Sequence, residues 1–341
     1  MTWYCSDRAR GWSAPSSTTA ALDFHRSLPG YAPTPLIELP ALAAELGVGR
    51  VLVKDESARM GLPAFKVLGA SWACQQVQQR TPGATLVTAT DGNHGRAVAR
   101  MATHFGVGAT VFVPAVMLPG TVDLITDEGA TVHRVYGDYD EAVRRAAAHA
   151  DEDPGRALVQ DTAWDGYTQV PGWIVEGYRT LLHEVDDELA AAAADLVVVP
   201  VGVGSLAEDV VRHHQRPGGP RPRVLSVEPD TAACLLASLV AGRPVTVPTA
   251  ATVMAGLNCG TVSATAWPVL RAGLHAAVSV SDRGALRAVD DLASLGVSSG
   301  PSGAATLAGL RAVLGDPDRR TALGLGPDAV VVLLSTEGGD R

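Results

Sequence analysis

From Thr85 to Gln160 the chain alternates short apolar runs rich in β-branched residues with stretches of helical period, and this alternation leaves few folds open. Thr85–Thr90, Ala109–Pro114, Thr131–Val135 and Ala157–Gln160 read as strands, with helices over Gly95–Phe105, Leu118–Glu128 and Asp138–Ala150 between them. Strands joined through helices return to the same edge of a sheet and run parallel. The pattern resumes later. Leu196–Pro200, Val224–Val227 and Ala329–Leu334 are apolar strands, and a long helix from about Pro171 to Ala194 precedes them, its alanines being strong helix formers. Earlier, a helix over Pro40–Leu46, ended by Gly47, leads into a buried strand at Val51–Val53. The stretch before Pro35 is polar, with clustered Ser, Thr and Pro, and reads as a surface arm. The fold class is therefore α/β, and 341 residues suit about two units, each a mainly parallel sheet flanked by helices.

Composition narrows the partners. A formal net charge of −9 argues against nucleic acid and against an anionic membrane surface. The runs LVVVP and AVVVLL are too short to span a bilayer, and the amino-terminal stretch has charges where a secretory signal needs an apolar core. Cys5, Cys74, Cys234 and Cys259 are scattered without a CxxC pair, which suits a reducing cytoplasm and speaks against a disulfide framework or a structural zinc site. The expectation is a cytoplasmic protein with no metal.

In open parallel sheets, ligands bind beyond the carboxyl ends of strands, where loops meet helix N-termini. Here those ends are polar: Asp91-Gly92-Asn93-His94-Gly95, Asp161-Thr162-Ala163-Trp164, Gly202-Val203-Gly204-Ser205, and Ser335-Thr336-Glu337-Gly338-Gly339-Asp340. Lys66 opens a helix marked by Phe65, Leu68 and Trp72, just after the break at Gly61–Pro63. The positive helix end and an apolar wall both favour its neutral amine, a nucleophile toward an aldehyde; the alternative is a solvated lysine lying along Phe65. The glycine turn is either an anion cradle of backbone N–H groups or merely a tight turn. Asn93 either donates its amide to an anionic oxygen or caps a helix, and His94 is either an acid/base or structural. Asp91 and Asp161 are candidate bases and ammonium anchors or simple loop formers. Trp164, Tyr167 and Trp173 either wall a pocket or pack the loop. An amine nucleophile, a phosphate cradle, an amide and a hydroxyl together match what pyridoxal phosphate requires.

The segments KDESARMGLPAFKVLGASWA, TATDGNHGRAVA, VQDTAWDGYTQVPGWIVEGY, SVEPD, TVMAGLNCG and LLSTEGGD, in that order, resemble the fold type II (tryptophan synthase β-like) pyridoxal-phosphate enzymes, and within them the diaminopropionate ammonia-lyase family. The resemblance runs from about Gly30 onward. It implies a large cofactor-binding domain from residues 1–67 and 171–341, a small domain from 68–170, a homodimer, and pyridoxal 5'-phosphate as cofactor. It implies that Lys66 is the Schiff-base lysine with Phe65 beside it, and that Asn93 meets the ring oxygen. Gly202, Val203, Gly204, Ser205 and Leu206 would hold the phosphate, and Ser335 would face the pyridine nitrogen. Asp91 would take the α-proton of a D-substrate and Lys66 that of an L-substrate, while Asp161 would handle substrate or protons. A serine at the pyridine nitrogen leaves that nitrogen largely unprotonated and favours elimination over transamination. The implied reaction is loss of ammonia from the amino acid 2,3-diaminopropionate, giving pyruvate and ammonia. Two other readings stay open: elimination, β-replacement or racemisation of another β-substituted amino acid, and a regulator or scaffold that keeps the fold without catalysis. Three places depart from the family pattern. Pro63 stands for an asparagine, Pro301 for a glutamate, and Glu208-Asp209 for a small glycine-rich continuation of the phosphate turn, and the expectation is that Pro301 and Glu208 alter the charge near the pocket.

Overall fold

A computed structural model describes residues 3–15, 18–137, 139–190 and 192–339. Asp138, the expected first residue of a helix, Ala191 of the alanine run and Asp340 of the last strand end lie outside the described residues. The strands are β1 (Trp3–Cys5), β2 (Leu36–Glu38), β3 (Arg50–Asp55), β4 (Thr85–Ala89), β5 (Ala109–Pro114), β6 (Thr131–Val135), β7 (Arg156–Leu158), β8 (Leu196–Pro200), β9 (Arg223–Pro229), β10 (Ala276–Val280) and β11 (Val330–Ser335). The helices are α1 (Ala20–Ser27), α2 (Pro40–Leu46), α3 (Lys66–Arg80), α4 (Asn93–Phe105), α5 (Pro119–Asp127), α6 (Tyr139–Asp151), α7 (Gln169–Leu189), α8 (Ser205–His214), α9 (Cys234–Ala241), α10 (Ala266–Gly273), α11 (Asp282–Ser294), α12 (Pro301–Leu314) and α13 (Pro317–Leu323). Among the described residues no helix is long and apolar enough to cross a membrane.

Two sheets result. One has the order β1-β10-β9-β8-β11-β3-β2, parallel except at its edges, where β1 and β2 run antiparallel to β10 and β3. The other has the order β6-β5-β4-β7 and is parallel throughout. Every residue of β5 and of β8 is buried, as expected for strands covered on both faces, while the edge strand β6 leaves Thr131, His133 and Arg134 exposed. Parallel registers such as Val331 with Leu196 and Val331 with Val51 bring the carboxyl ends of β3, β8 and β11 to one edge.

Two expectations are corrected. The long helix stops at Leu189, where Ala190 takes a positive φ of 51°, instead of running to Ala194. Alanine's helix propensity is weak against the requirement that the chain turn back to enter β8 at Leu196. The polar amino-terminal stretch is also less peripheral than it reads, because Trp3–Cys5 extends the large sheet and His25 is buried. His25 bonds Thr180 Oγ1 at 2.6 Å and the Leu68 carbonyl at 3.0 Å, linking α1 to both α7 and α3.

Helices α3 and α7 cross closely at two glycines. A Cβ on Gly177 would lie 2.5 Å from the Leu68 carbonyl oxygen, and one on Gly69 would lie 2.5 Å from the Tyr178 ring. The loop before α3 is fixed by Arg59, fully buried, whose guanidinium donates to Glu56 and Glu184 at 2.6–2.8 Å. Lys54, also fully buried, meets Glu184 at 3.0 Å and Glu188 at 2.9 Å. Overpacking against backbone cannot relax by a rotamer change, so Gly177→Ala is expected to destabilise the protein by about 1–3 kcal/mol. Gly172→Ala, on the same helix but in open space, should be neutral or stabilising by up to about 1 kcal/mol. Denaturant midpoints of the two variants check this; equal midpoints would contradict the close crossing.

Candidate active site

Lys66 is the first residue of α3, and the segment before it is aligned by the exit of β11. Ala64 forms an antiparallel bridge with Glu337, the Phe65 N–H donates to the Thr336 carbonyl at 3.1 Å, and the Gly338 N–H donates to the Pro63 carbonyl at 2.9 Å. Ser335, Thr336 and Glu337 therefore travel with the lysine. Lys66 Nζ donates to Asp161 Oδ2 at 2.6 Å and stands 5.5 Å from the Phe65 ring centroid. Phe65 in turn packs on Tyr178 with centroids 4.7 Å apart.

The ion pair overturns the expected neutral amine. Burial does work against the charge on Lys66, but Asp161 outweighs it and the lysine is held above its ordinary value, as an ammonium. Burial likewise raises the Asp161 carboxyl, yet Lys66 brings it down to about 2. Gln160 Nε2 donates to the other oxygen of Asp161 at 3.3 Å. Asp91, at the end of β4, is pushed up to about 6 by desolvation and by the charge of Asp161, with Lys66 partly offsetting both.

The turn after Asp91 depends on Gly92, whose φ of 150° is rarely open to a residue with a Cβ. Thr90 Oγ1 accepts the N–H groups of Gly92 and Gly95, both at 2.9 Å, and so fixes the start of α4. Gly92 is the N-cap, so Asn93 does not cap the helix; its Nδ2 donates to Glu337 Oε2 at 3.4 Å. His94 is structural in its contacts, buried with Nε2 2.8 Å from the Val159 carbonyl.

The glycine turn enters α8 with Gly204 at a left-handed φ of 99° and without a side-chain cap. Among the described residues, no acceptor meets the N–H groups of Gly202, Val203, Gly204, Ser205 and Leu206. Ser205 Oγ donates to the Asp161 carbonyl at 2.8 Å, tying the turn to the acid. A Cβ on Gly202 would crowd the Gly256 carbonyl at 3.0 Å and Cys259 Sγ at 3.1 Å. Ser335, fully buried, donates to Ser299 Oγ at 2.7 Å.

Strand-end reading named Lys66, Asp91, Asp161, Asn93 and the turn but left several neighbours unassigned. Glu337, Ser299, Gly256, Cys259 and Tyr139 all belong to this cluster; Cys259 and Tyr139 interact electrostatically with both Asp91 and Asp161. The segment TVMAGLNCG was the sequence signal for Gly256 and Cys259, whereas only a contact could reveal Ser299. The aromatic loop lies elsewhere: Trp164 stacks on Tyr167 at 4.4 Å, and with Trp173 they line a separate cavity of about 520 Å³ beside Arg80. Of the departures, Glu208 accepts from Arg212 at 3.0 Å, Asp209 pairs with Arg179, and Pro301 starts α12 in the position where a proline costs least.

This donor set fits pyridoxal phosphate. Unclaimed N–H groups at a helix start suit a phosphate, an amine stands beside an aromatic ring, and a buried hydroxyl and an amide are available for ring heteroatoms. Residues 27–337 match the model of the family described as pyridoxal-phosphate dependent enzyme, and the two parallel sheets with this site define a fold type II member of it. Diaminopropionate ammonia-lyase of Escherichia coli (strain K12) is 37% identical over 95% of this chain and 88% of its own length. The crystal structure of the Escherichia coli enzyme in complex with an aminoacrylate-PLP azomethine reaction intermediate superposes with a TM-score of 0.90 at 36% identity, covering 98% of this chain and 93% of that one. Its complex with D-serine gives the same TM-score of 0.90 at 35% identity over 98% and 93% of the two chains. The chain belongs to the pyridoxal-phosphate dependent enzymes and, within them, to the diaminopropionate ammonia-lyase family.

Asp161→Asn removes the charge that holds Lys66 protonated and leaves burial acting alone. In cofactor-free protein, Lys66 is then expected to react with an acylating reagent at pH 8 at least about 10-fold faster, one pKa unit being a factor of ten. Peptide mass spectrometry of timed labelling measures this; an unchanged rate would show that Asp161 does not set the charge.

Proposed function

We propose that this enzyme removes ammonia from 2,3-diaminopropionate, giving pyruvate and ammonia. The observation that carries the reading is the Lys66–Asp161 pair at 2.6 Å, with Asp91 raised to about 6 beside it, in a chain so similar to diaminopropionate ammonia-lyases. Bound pyridoxal phosphate supplies an electron-withdrawing ring that stabilises charge developing at the substrate's α-carbon. Residues 202–206 would hold its phosphate through their backbone N–H groups, Lys66 would hold its reactive carbon, and Asn93 and Ser335 would serve the ring oxygen and the ring nitrogen. A neutral hydroxyl there leaves that nitrogen without a full charge, which suits elimination.

The α-proton leaves to the Asp91 carboxylate from a D-substrate and, from an L-substrate, to Lys66 acting as a neutral amine, its ammonium form being that of the cofactor-free protein. The electron pair of the broken C–H bond forms the Cα–Cβ double bond, and the β-ammonium departs as ammonia with its own bonding pair. Water then releases the second nitrogen as ammonia and leaves pyruvate. Asp161 keeps the Lys66 amine directed at the reacting carbon. The same reading divides the chain into a large domain of residues 1–67 and 171–341 and a small one of 68–170, and makes it a cytoplasmic homodimer. Four scattered free cysteines support the compartment. Light scattering checks the dimer, and a monomeric mass would remove it.

Incubation with D- and L-2,3-diaminopropionate is expected to yield pyruvate from both. Asp91→Asn should lose at least about 100-fold on the D-substrate and far less on the L-substrate, general-base removal being worth that order. A base acts only when deprotonated, so wild-type turnover of the D-substrate should fall as pH drops through about 6, and the L-substrate should lack that limb. No pyruvate from either enantiomer would overturn the substrate, and equal losses would overturn the two-base assignment.

A further inference from the structure

At the far end of α8 from the phosphate turn, Asp186 of α7 meets His213 and His214 of α8, with one potential ligand atom from each within 4.8 Å of the others. Both histidines are 1% exposed. His213 Nε2 bonds Asp186 Oδ2 at 2.8 Å. Both nitrogens of His214 and the Nδ1 of His213 are buried without a hydrogen-bond partner. His183, three residues before Asp186 and on the same face of α7, packs edge-on against His213 with centroids 5.2 Å apart, and its Nε2 is also buried without a partner. Each neutral imidazole carries one lone-pair nitrogen, and lone pairs buried without a partner are costly inside a protein and call for an electron-pair acceptor.

Three further features suit a cation. The last turn of a helix presents its negative dipole end. A cavity of about 250 Å³ bordered by Asp186, Ala190, His214 and Pro220 adjoins the cluster and offers a way in. Arg216 Nη2 donates to Asp186 Oδ2 at 2.7 Å, and its partly exposed side chain can turn out to solvent when a metal takes its place.

We propose that Asp186, His213 and His214 form a binding site for a divalent transition metal of the zinc class. Nitrogen and carboxylate ligands in a low-coordinate arrangement select zinc or cobalt over magnesium or calcium. The metal pins α7 to α8, so it braces the helix whose opposite end carries the phosphate turn without entering the reaction.

Untagged holoenzyme, stripped with a chelator and titrated with Co²⁺, is expected to develop the intense visible d–d absorption of a low-coordinate site, saturating at one metal per chain. Equimolar Zn²⁺ should abolish that band, and either metal should raise the melting temperature by a few degrees. His214→Ala and, independently, Asp186→Asn should retain the cofactor's own absorbance while weakening Co²⁺ binding by on the order of 100-fold. Absence of the band in the wild type, or a band of equal affinity in both variants, overturns the proposal. Should both variants fail to fold, the wild-type titration decides alone, a weak octahedral spectrum counting against the site.

Discussion

The buried guanidinium of Arg59 is the contact on which the rest of this architecture hangs. Taking an arginine wholly out of water is tolerable only when its donors are all met, and here Glu56, Glu184, Thr34 and the Ala32 carbonyl meet them while Lys54 shares Glu184. The network joins the end of β3, the loop before Lys66 and the middle of α7. Loop and helix are thereby held in one relation, and the glycine crossing of α3 with α7 adds a second restraint. A lysine at the start of α3 thus inherits its position from charges several residues upstream. The strand-like pairing of Pro63–Phe65 with 336–338 completes the frame.

Within that frame burial and the helix dipole act against the charge on Lys66, and contact with Asp161 acts for it strongly enough to prevail. The positive end of a helix disfavours an ammonium by about 0.3–1 kcal/mol. A carboxylate in direct contact favours it by about 4 kcal/mol at an effective dielectric of about 20. Asp161 therefore wins in the cofactor-free protein, and the lysine rests charged and aimed. Asp91, with no cation in contact among the described residues, is pushed up by burial and by the charge of Asp161, while contact with Lys66 brings the Asp161 carboxyl down. Two acids at neighbouring strand ends acquire different protonation behaviour from one lysine.

The parallel strands were legible because apolar β-branched runs between helical stretches admit little else, and their polar ends lie where loops meet helix starts. What periodicity could not supply was pairing across the chain. Nothing in the local residues says that Lys66 and Asp161, 95 positions apart, share a proton's distance, or that Ser299 meets Ser335. The edge strands β1 and β2, and β10 between β1 and β9, are short or flanked by polar residues, and they carry too little pattern to stand out. The alanine run after Leu189 misled for the opposite reason, since propensity was strong locally and the geometry of re-entering β8 overrode it. Asn93 read equally well as a cap, and only the observed N-cap Gly92 with the reach to Glu337 distinguishes the two.

The turn from Gly202 to Leu206 offers an anion nothing but main-chain N–H groups. A cradle written in backbone is insensitive to most side-chain replacement, because exchanging Val203 or Leu206 leaves the donors where they were. Side chains around the turn can therefore change without moving those donors. Retargeting such a scaffold to other amino acids becomes a matter of recarving one wall while the opposite wall stays constant.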